Sequence, residues 1–317
     1  MGRIADTLAA AGHEIVVYQP VIAENIKFTR SKNETIRFYT TPKKADDDFR
    51  MEEAQEDFWD PESLDKIRRI ALWYGKKNTL VCKNALEDEK TLEQLKNEKF
   101  DLGISEIFSG CGFGIFKLIE LERYIAASSC SLMFYNYDLL GLKYHLSYVP
   151  SMFSLKPDKM TFSDRIVNYL LSFVDHIWSR KMFGGGIDEL MQQRLPGFKL
   201  EEAISDSAFH FINSDEIIDY TQPITQKVVY IGGLGKVQSH PLNDELSKIF
   251  DSSKKDHPRL LAFISHAGMN SVIEGTSKGI PMICIPIFGD QFHNSVLIEN
   301  RGTGISLQKD HLTKGEI

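Results

Sequence analysis

The strongest constraint in this sequence is a strand–turn–helix–strand pattern near its C-terminal end. Residues 260–265 form an apolar run typical of a buried strand, and the small residues at 267 and 268 allow a tight turn. Residues 269–279 have the pattern of a helix that ends at a glycine, and residues 281–288 predict a second buried strand. A helix that joins two buried strands is typical of a parallel sheet, so this segment predicts an α/β fold.

Polar side chains lie where this unit would meet a ligand. Asn270 and Ser271 fall in the first turn of the predicted helix, where unpaired backbone N–H groups can hold a phosphate. Glu274 lies one turn further on the same face, where a carboxylate could accept both hydroxyls of a ribose. Asp290 and Gln291 follow the second strand at its carboxyl end, the edge where open α/β sheets bind ligands. Taken singly, each residue fits a cap, a solvated acid or a polar loop, but together they predict a sugar-nucleotide site.

Helices and strands also alternate over the rest of the chain. The patterns predict helices over residues 2–11 and 117–124, and strands over 14–20, 100–106, 124–134, 208–219 and 228–231. The sequence begins within a helix, whereas an α/β domain normally opens with a strand, so the N-terminal domain is expected to lack its first strand.

The domain organisation follows from a short polar stretch over residues 234–259. This stretch has room for one helix and a loop, too little for the crossovers of a complete second α/β domain. We therefore predict an N-terminal domain over residues 1–235 and a partial C-terminal domain over residues 236–317.

Charge and cysteine content exclude several classes of protein. The net charge of -7 argues against a nucleic-acid partner. No apolar run is long enough to span a membrane, and the N-terminus does not have the pattern of a secretory signal. The four cysteines are scattered, which predicts core thiols and neither a zinc site nor a disulfide framework: Cys82, Cys111, Cys130 and Cys284.

Residues 257–294 resemble the signature of the UDP-glycosyltransferases, most closely of the animal UDP-glucuronosyltransferase type. Residues 2–20, 100–106, 148–170 and 230–234 resemble other segments of the same family. The resemblance implies a GT-B fold, in which two Rossmann-like domains bind a UDP-sugar in the C-terminal domain and an apolar acceptor in the N-terminal one. It also implies inverting transfer without a metal or other cofactor.

The resemblance assigns roles to individual residues. Glu106 corresponds to the acidic residue that orients the catalytic base, and His266 is expected to contact the diphosphate. The implied UDP-sugar-binding residues are His266, Gly268, Asn270, Ser271, Glu274, Asp290 and Gln291. UDP-glucuronate and UDP-glucose both remain open as donors, with a small lipophilic compound as acceptor.

The sequence also departs from the family pattern. The catalytic His that follows the first strand in family members is absent, as are the block before residue 256 that carries the uracil contacts and a C-terminal membrane anchor. We therefore expect a truncated or internally deleted member that does not transfer sugar. The alternative is a non-catalytic isoform that associates with full-length relatives and modulates them. Family members reside at the membrane of the endoplasmic reticulum, on its lumenal side.

Three short motifs have weaker interpretations. The glycines at 110–114 do not have the spacing of a dinucleotide-binding loop, so close helix–strand packing explains them better. Residues 46–48 contain the D-x-D of metal-dependent glycosyltransferases, but a solvated acidic run is the simpler interpretation. Asn33 begins a glycosylation triplet that matters only if the protein enters the secretory pathway.

Overall fold

The computed structural model describes residues 1–21, 31, 33–42, 63–154, 156–234, 262–309 and 312. Its strands are β1 (Val16–Tyr18), β2 (Arg37–Tyr39), β3 (Gly103–Glu106), β4 (Tyr124–Ser128), β5 (His210–Ile212), β6 (Val228–Tyr230), β7 (Phe263–Ser265), β8 (Met282–Cys284) and β9 (Gly304–Ser306). Its helices are α1 (Gly2–Ala10), α2 (Leu64–Glu87), α3 (Glu89–Asn97), α4 (Cys111–Leu118), α5 (Phe134–Leu139), α6 (Phe162–Phe183), α7 (Ile187–Gln192), α8 (Leu200–Ser205), α9 (Met269–Ser277) and α10 (Gln291–Asn300).

The described strands form three sheets in which every pairing is parallel. The orders are β1-β2, β3-β4-β5-β6 and β7-β8-β9. Parallel pairing with helical crossovers confirms the α/β prediction. The last described strand of the second sheet is β6 and the first of the third is β7. The predicted domain boundary at residues 235 and 236 lies between them, outside the described residues, and stays a prediction.

The N-terminal strands occur in two separate sheets. Among the described strands, no ladder joins the pair β1-β2 to the sheet that begins with β3.

The glycine-rich turn after β3 differs from the sequence prediction. We predicted a helix over residues 117–124, but α4 begins at Cys111 and β4 begins at Tyr124. Helix α4 packs closely on its neighbours, because a Cβ atom at Gly112 would overlap the side chain of Ser105 and one at Gly114 would overlap Met191. The packing interpretation of these glycines is confirmed, and the same contacts explain why the helix starts early.

The cysteines correct another expectation. Cys82 on α2 and Cys111 at the start of α4 form a disulfide with a Cα–Cα distance of 5.4 Å, while Cys130 and Cys284 are free thiols. The prediction of core thiols was therefore wrong for the first pair, because the packing of α2 on α4 joins residues that are 29 positions apart. Disulfides persist in oxidising compartments such as the lumen of the endoplasmic reticulum.

Reduction of this disulfide should destabilise the fold. Closing a loop of this length restricts the unfolded chain, so we expect reduction to lower the free energy of unfolding by about 3 kcal/mol. Urea unfolding with and without dithiothreitol measures the change. The double variant Cys82→Ser with Cys111→Ser is the control, and its urea midpoint should not respond to the reductant. Equal midpoints for oxidised and reduced wild type would contradict the prediction.

No helix within the described ranges is both long enough and apolar enough to cross a bilayer.

Candidate functional site

The turn after β7 is the first part of the site. Ala267 has a φ of 63° and is fully buried between the exposed His266 and the partly buried Gly268. A non-glycine residue in this conformation is held by its surroundings. The Ala267 N–H donates to Ser265 Oγ at 3.2 Å, and Asn294 Nδ2 donates to the Ala267 carbonyl at 3.0 Å. The turn is thus fixed from both sides.

Gly268 is the N-cap residue of α9, and its missing side chain has two consequences. No side-chain hydrogen bond caps the helix, so the first-turn amides remain available to an anion. A Cβ atom at Gly268 would lie 2.6 Å from His266 Nε2, so only glycine lets the imidazole lie over the turn. Asn270 and Ser271 fall in this first turn, as predicted from the sequence.

Asp290 and Gln291 lie at the carboxyl edge of the same sheet, at the start of α10. Asn294 Nδ2 donates to Asp290 Oδ2 at 2.7 Å, so one amide connects Asp290 to the turn at Ala267. Gln291 Oε1 accepts hydrogen bonds from the N–H groups of Ile287 and Phe288 at 2.9 and 3.0 Å. A contact between Gln291 and a sugar would therefore use its amide Nε2.

Glu106 ends β3 in the N-terminal sheet. The Ser129 N–H donates to Glu106 Oε1 at 3.3 Å. Burial raises the pKa of Glu106 to about 7, although backbone hydrogen bonds from Ser129 and Phe108 oppose the shift. A carboxyl with a pKa near neutrality is typical of a residue that takes part in proton transfer.

Glu106 and Asp290 converge on Cys130, although they belong to different sheets. The Cys130 thiol lies near Asp290 and Glu106, so burial and then these two carboxylates raise the thiol pKa. Burial also raises the pKa of Asp290, and nearby His266 opposes that shift. The carboxyl edges of the N-terminal and C-terminal sheets therefore face each other, and we call the region between them, near Glu106, Cys130, His266 and Asp290, the cleft.

Helix α9 makes two further contacts with the N-terminal part of the chain. Asn213, which follows β5, donates to Asn270 Oδ1 at 3.1 Å and to the Ser129 carbonyl at 2.9 Å. Glu274 lies 3.4 Å from Arg3 Nη2 on α1, and both side chains are nearly half exposed. Asn270 thus lies beside the N-terminal sheet, whereas Glu274 lies toward α1. The roles predicted for these residues stay predictions.

Sequence reasoning missed Cys130, Asn213 and Asn294. Cys130 and Asn213 come just after β4 and β5, and Asn294 lies one helical turn beyond Asp290. All three are therefore near the carboxyl edge of a parallel sheet, the edge that was used to select Asp290. That rule could have pointed to Asn213, whereas the positions of Cys130 and Asn294 depend on how the two sheets face each other.

An apolar cavity lies beside the loop that precedes Asp290. Its volume is about 30 Å³, and it is lined mainly by apolar side chains of α2, of α6 and of the loops at 152–153 and 287–289. Among them are Phe153, Trp178, Met182, Ile287 and Phe288. Part of the aromatic segment 134–183 therefore lines a cavity, while Tyr135 and Phe183 belong to the core.

No group of three potential metal ligands lies close together in the described part of the chain. The D-x-D motif at residues 46–48 lies outside it. The expectation of metal-independent chemistry stays a prediction.

Loss of the Asn294 side chain should destabilise the turn. Asn294 is fully buried, and Asn294→Ala would leave two buried acceptors unpaired, the Ala267 carbonyl and Asp290 Oδ2. We expect a loss of about 2 kcal/mol or more in the free energy of unfolding, measured by urea denaturation. Glu299→Ala, on the exposed end of the same helix, is the control and should cost well under half of this. Equal effects of the two variants would contradict the proposed network.

Known structures with this architecture are glycosyltransferases. A UDP-glucosyltransferase from Polygonum tinctorium, solved in complex with 3,4-dichloroaniline, has a TM-score of 0.53 at 11% identity, over 96% of this chain and 81% of that one. The glycosyltransferase SsfS6 of Streptomyces sp. SF2575, complexed with thymidine diphosphate, has a TM-score of 0.50 at 14% identity, over 96% and 82%. The fold is therefore GT-B, as the sequence predicted.

The sequence matches define the family. The model of the family "UDP-glucoronosyl and UDP-glucosyl transferase" matches residues 1–256 and 255–317, and the chain belongs to this family. Human UDP-glucuronosyltransferase 1A9 is 23% identical over 389 aligned residues, which cover 100% of the chain and 72% of that relative. The putative UDP-glucuronosyltransferase ugt-48 of Caenorhabditis elegans is 25% identical over 400 residues, covering 99% and 73%.

These alignments are longer than the 317 residues of the chain. The relatives therefore carry residues inside the matched span that this chain lacks. The two family matches meet at residues 255 and 256, where the sequence analysis placed the missing block.

Proposed function

We propose that the cleft between the two sheets is the donor site of a UDP-glycosyltransferase of the glucuronosyltransferase type. The observation that carries this proposal is the convergence of Glu106 and Asp290 on Cys130. This proximity supports an acidic residue of the N-terminal domain acting next to the turn and the polar loop of the C-terminal domain. A reaction between a donor on one domain and an acceptor on the other needs such an approach.

The donor would lie along α9 and the loop before α10. The first-turn amides with Asn270 and Ser271 would bind the diphosphate, and His266 would contact it from the turn. Asp290 and Gln291 would bind sugar hydroxyls, and Glu274 the ribose. The exposed ion pair between Glu274 and Arg3 contributes less than about 1 kcal/mol and would not prevent this contact.

The acceptor would be a small lipophilic alcohol or phenol that contacts the apolar side chains around Ile287 and Phe288, where the cavity of about 30 Å³ would have to widen to admit it. In the complete reaction a base removes the acceptor proton, and the oxygen attacks the anomeric carbon from the face opposite UDP. The carbon–oxygen bond to the diphosphate breaks, so the configuration inverts. The amides of α9 and His266 would stabilise the charge on the departing diphosphate, and no step in this scheme needs a metal. Glu106 would orient the base.

For this chain we expect little or no transfer. The block that the relatives carry near residue 255 would contain the uracil contacts, so UDP would be held mainly through its diphosphate. A second function, association with full-length relatives and modulation of their activity, is favoured by the same shortening.

A turnover assay distinguishes these outcomes. Purified chain is incubated with UDP-glucuronate or UDP-glucose and a simple phenol, and the glycoside is quantified by mass spectrometry. We expect none above the level of a boiled sample; measurable glycoside would refute the loss of activity. If mixing the chain with a full-length relative leaves that relative's kcat and KM unchanged, the modulating function is excluded.

The proposed compartment is the lumen of the endoplasmic reticulum, which the disulfide supports. Asn33 Oδ1 accepts from the Thr35 N–H at 3.0 Å and from Thr35 Oγ1 at 2.7 Å, so the glycosylation triplet lies in an ordered turn. A mass shift on endoglycosidase treatment of protein from eukaryotic cells, absent in Asn33→Gln, would support this compartment. An unmodified Asn33 together with free Cys82 and Cys111 thiols would contradict it.

A further inference from the structure

A second concave surface lies between α2 and the C-terminal end of α6, and we call it the α2 groove. Its volume is about 450 Å³, which is in the range of small-molecule sites. The side chains that line the α2 groove are apolar, hydroxyl or basic: Leu72, Lys76, Thr79, Leu80, Lys83 and Lys181. The described residues of the lining thus include no acid.

The glycine side of the α2 groove is backbone packed against backbone. Gly185 has a φ of 50°, and a Cβ atom at this position would lie 2.5 Å from the Gly75 carbonyl oxygen. Thr79 Oγ1 accepts from the Gly186 N–H at 2.8 Å and donates to the Gly75 carbonyl at 2.8 Å. Close packing of this kind does not yield as side chains do, so the groove is a fixed feature of the fold.

The α2 groove is separate from the apolar cavity, although residues of α2 and α6 line both. At about 100° per residue, Leu72, Lys76 and Lys83 of the groove lie on the face of α2 opposite to Ile67 and Ile70, which line the cavity. A ligand in the groove would therefore leave the cavity free.

Two lysines give the α2 groove a local positive charge, although the chain has a net charge of -7. Lys76 and Lys181 are exposed, and neither makes an ion pair with another residue in the described ranges. They lie at the same level of the groove, because a Cβ atom at Gly75, next to Lys76, would overlap the backbone oxygen of Lys181. One anionic group could therefore contact both ammonium groups.

The third lysine of the groove is partly neutralised. Lys83 lies about 10 Å further along α2 than Lys76, and its Nζ is 3.9 Å from Glu87 Oε1. A second acid beside the groove is Glu189, whose Oε2 would lie 3.7 Å from a Cβ atom at Gly186. An anion is therefore favoured at the level of Gly75 and less favoured elsewhere in the groove.

We propose that the α2 groove binds a small amphipathic organic anion. Its carboxylate would lie between Lys76 and Lys181, and its apolar ring system would pack against Leu72, Leu80 and the lysine stems. Two unpaired lysines suit a single anionic group, whereas a nucleic acid would need a longer basic surface and would be repelled by the net charge. The site lies outside the cavity and the cleft, so the proposal does not depend on sugar transfer.

Isothermal titration of the full chain with naphthoate, its neutral isostere naphthamide and acetate tests this inference. We expect naphthoate to bind about tenfold more tightly than either of the others, because naphthamide lacks the charge and acetate lacks the rings. The affinity for naphthoate should fall as the salt concentration rises. Saturating UDP should leave it unchanged, because the groove is separate from the cleft.

The double variant Lys76→Gln with Lys181→Gln should bind naphthoate about tenfold more weakly and naphthamide as wild type does. The matched control is Lys143→Gln with Lys159→Gln, which removes the same charge from two exposed lysines elsewhere and should bind like wild type. Both variants should keep the wild-type Tm because the substituted side chains are exposed. Four results would each overturn the inference: no naphthoate binding by wild type, equal affinities for naphthoate and naphthamide, equal binding of naphthoate by the two variants, or displacement of naphthoate by UDP.

Discussion

Replacing Gly75 by valine is expected to destabilise the protein by about 3 kcal/mol or more. Gly75 is buried in α2 at the closest approach of α2 and α6, where a Cβ atom would overlap the backbone oxygen of Lys181 and lie 3.4 Å from Gly185 Cα. Backbone atoms cannot rotate away as a side chain can, so the two helices would have to separate. Because the apolar cavity lies between these helices, the same change should also disturb the proposed acceptor site.

Urea denaturation followed by circular dichroism measures this effect. Lys76→Val is the matched control, since it introduces the same β-branched residue one position along α2 at an exposed site. The control should cost about 0.5 kcal/mol, the difference in helix propensity. If Gly75→Val were no more destabilising than Lys76→Val, the close packing of α2 on α6 would be refuted.

A large pH effect is expected from Asp175. Burial raises the pKa of Asp175 to about 7 in the folded chain, against an ordinary value of 3.8. Between these values the folded state holds a proton that the unfolded state has released, so stability falls as the pH rises from about 4 to 7. The contribution of this group is fully present below pH 4, and its loss above pH 7 is on the order of 4 kcal/mol.

Asp175→Asn keeps a neutral side chain of the same shape and should flatten this dependence. The measurement is Tm or the urea midpoint from pH 4 to pH 8 for wild type and variant. Asp219→Asn is the comparison. Burial raises the pKa of Asp219 to about 6, so the fall in stability that this residue causes should be complete at a lower pH than the fall caused by Asp175. Parallel pH curves for wild type and Asp175→Asn would contradict the account.

The local structure of the C-terminal unit could be predicted from the sequence. The apolar runs, Gly279 and the small residues at 267 and 268 predict β7, α9 and β8 in the observed order, because each signal acts over a few residues. The start of α4 could not be predicted in this way. It depends on contacts of Gly112 and Gly114 with Ser105 and Met191, which tertiary packing creates.

Part of the site could also be predicted from the sequence, and the part that depends on tertiary contacts could not. The edge rule for parallel sheets selected Asp290 and Gln291, and the resemblance to the UDP-glycosyltransferases selected Glu106. The meeting of Glu106 and Asp290 at Cys130 is a contact between two sheets, and no periodicity encodes it. The disulfide between Cys82 and Cys111 also depends on the packing of two elements that are distant in sequence.

The binding of UDP and of inorganic pyrophosphate, measured by isothermal titration calorimetry, tests the central claim most directly. If the turn at His266 and the amides of α9 hold the diphosphate, both ligands should bind with affinities within a few-fold of each other. His266→Ala should weaken both by about tenfold, and His13→Ala, an equally exposed histidine on another surface, should leave them unchanged. Absence of binding, or identical affinities for wild type and His266→Ala, would contradict the assignment of this cleft as a nucleotide-sugar site.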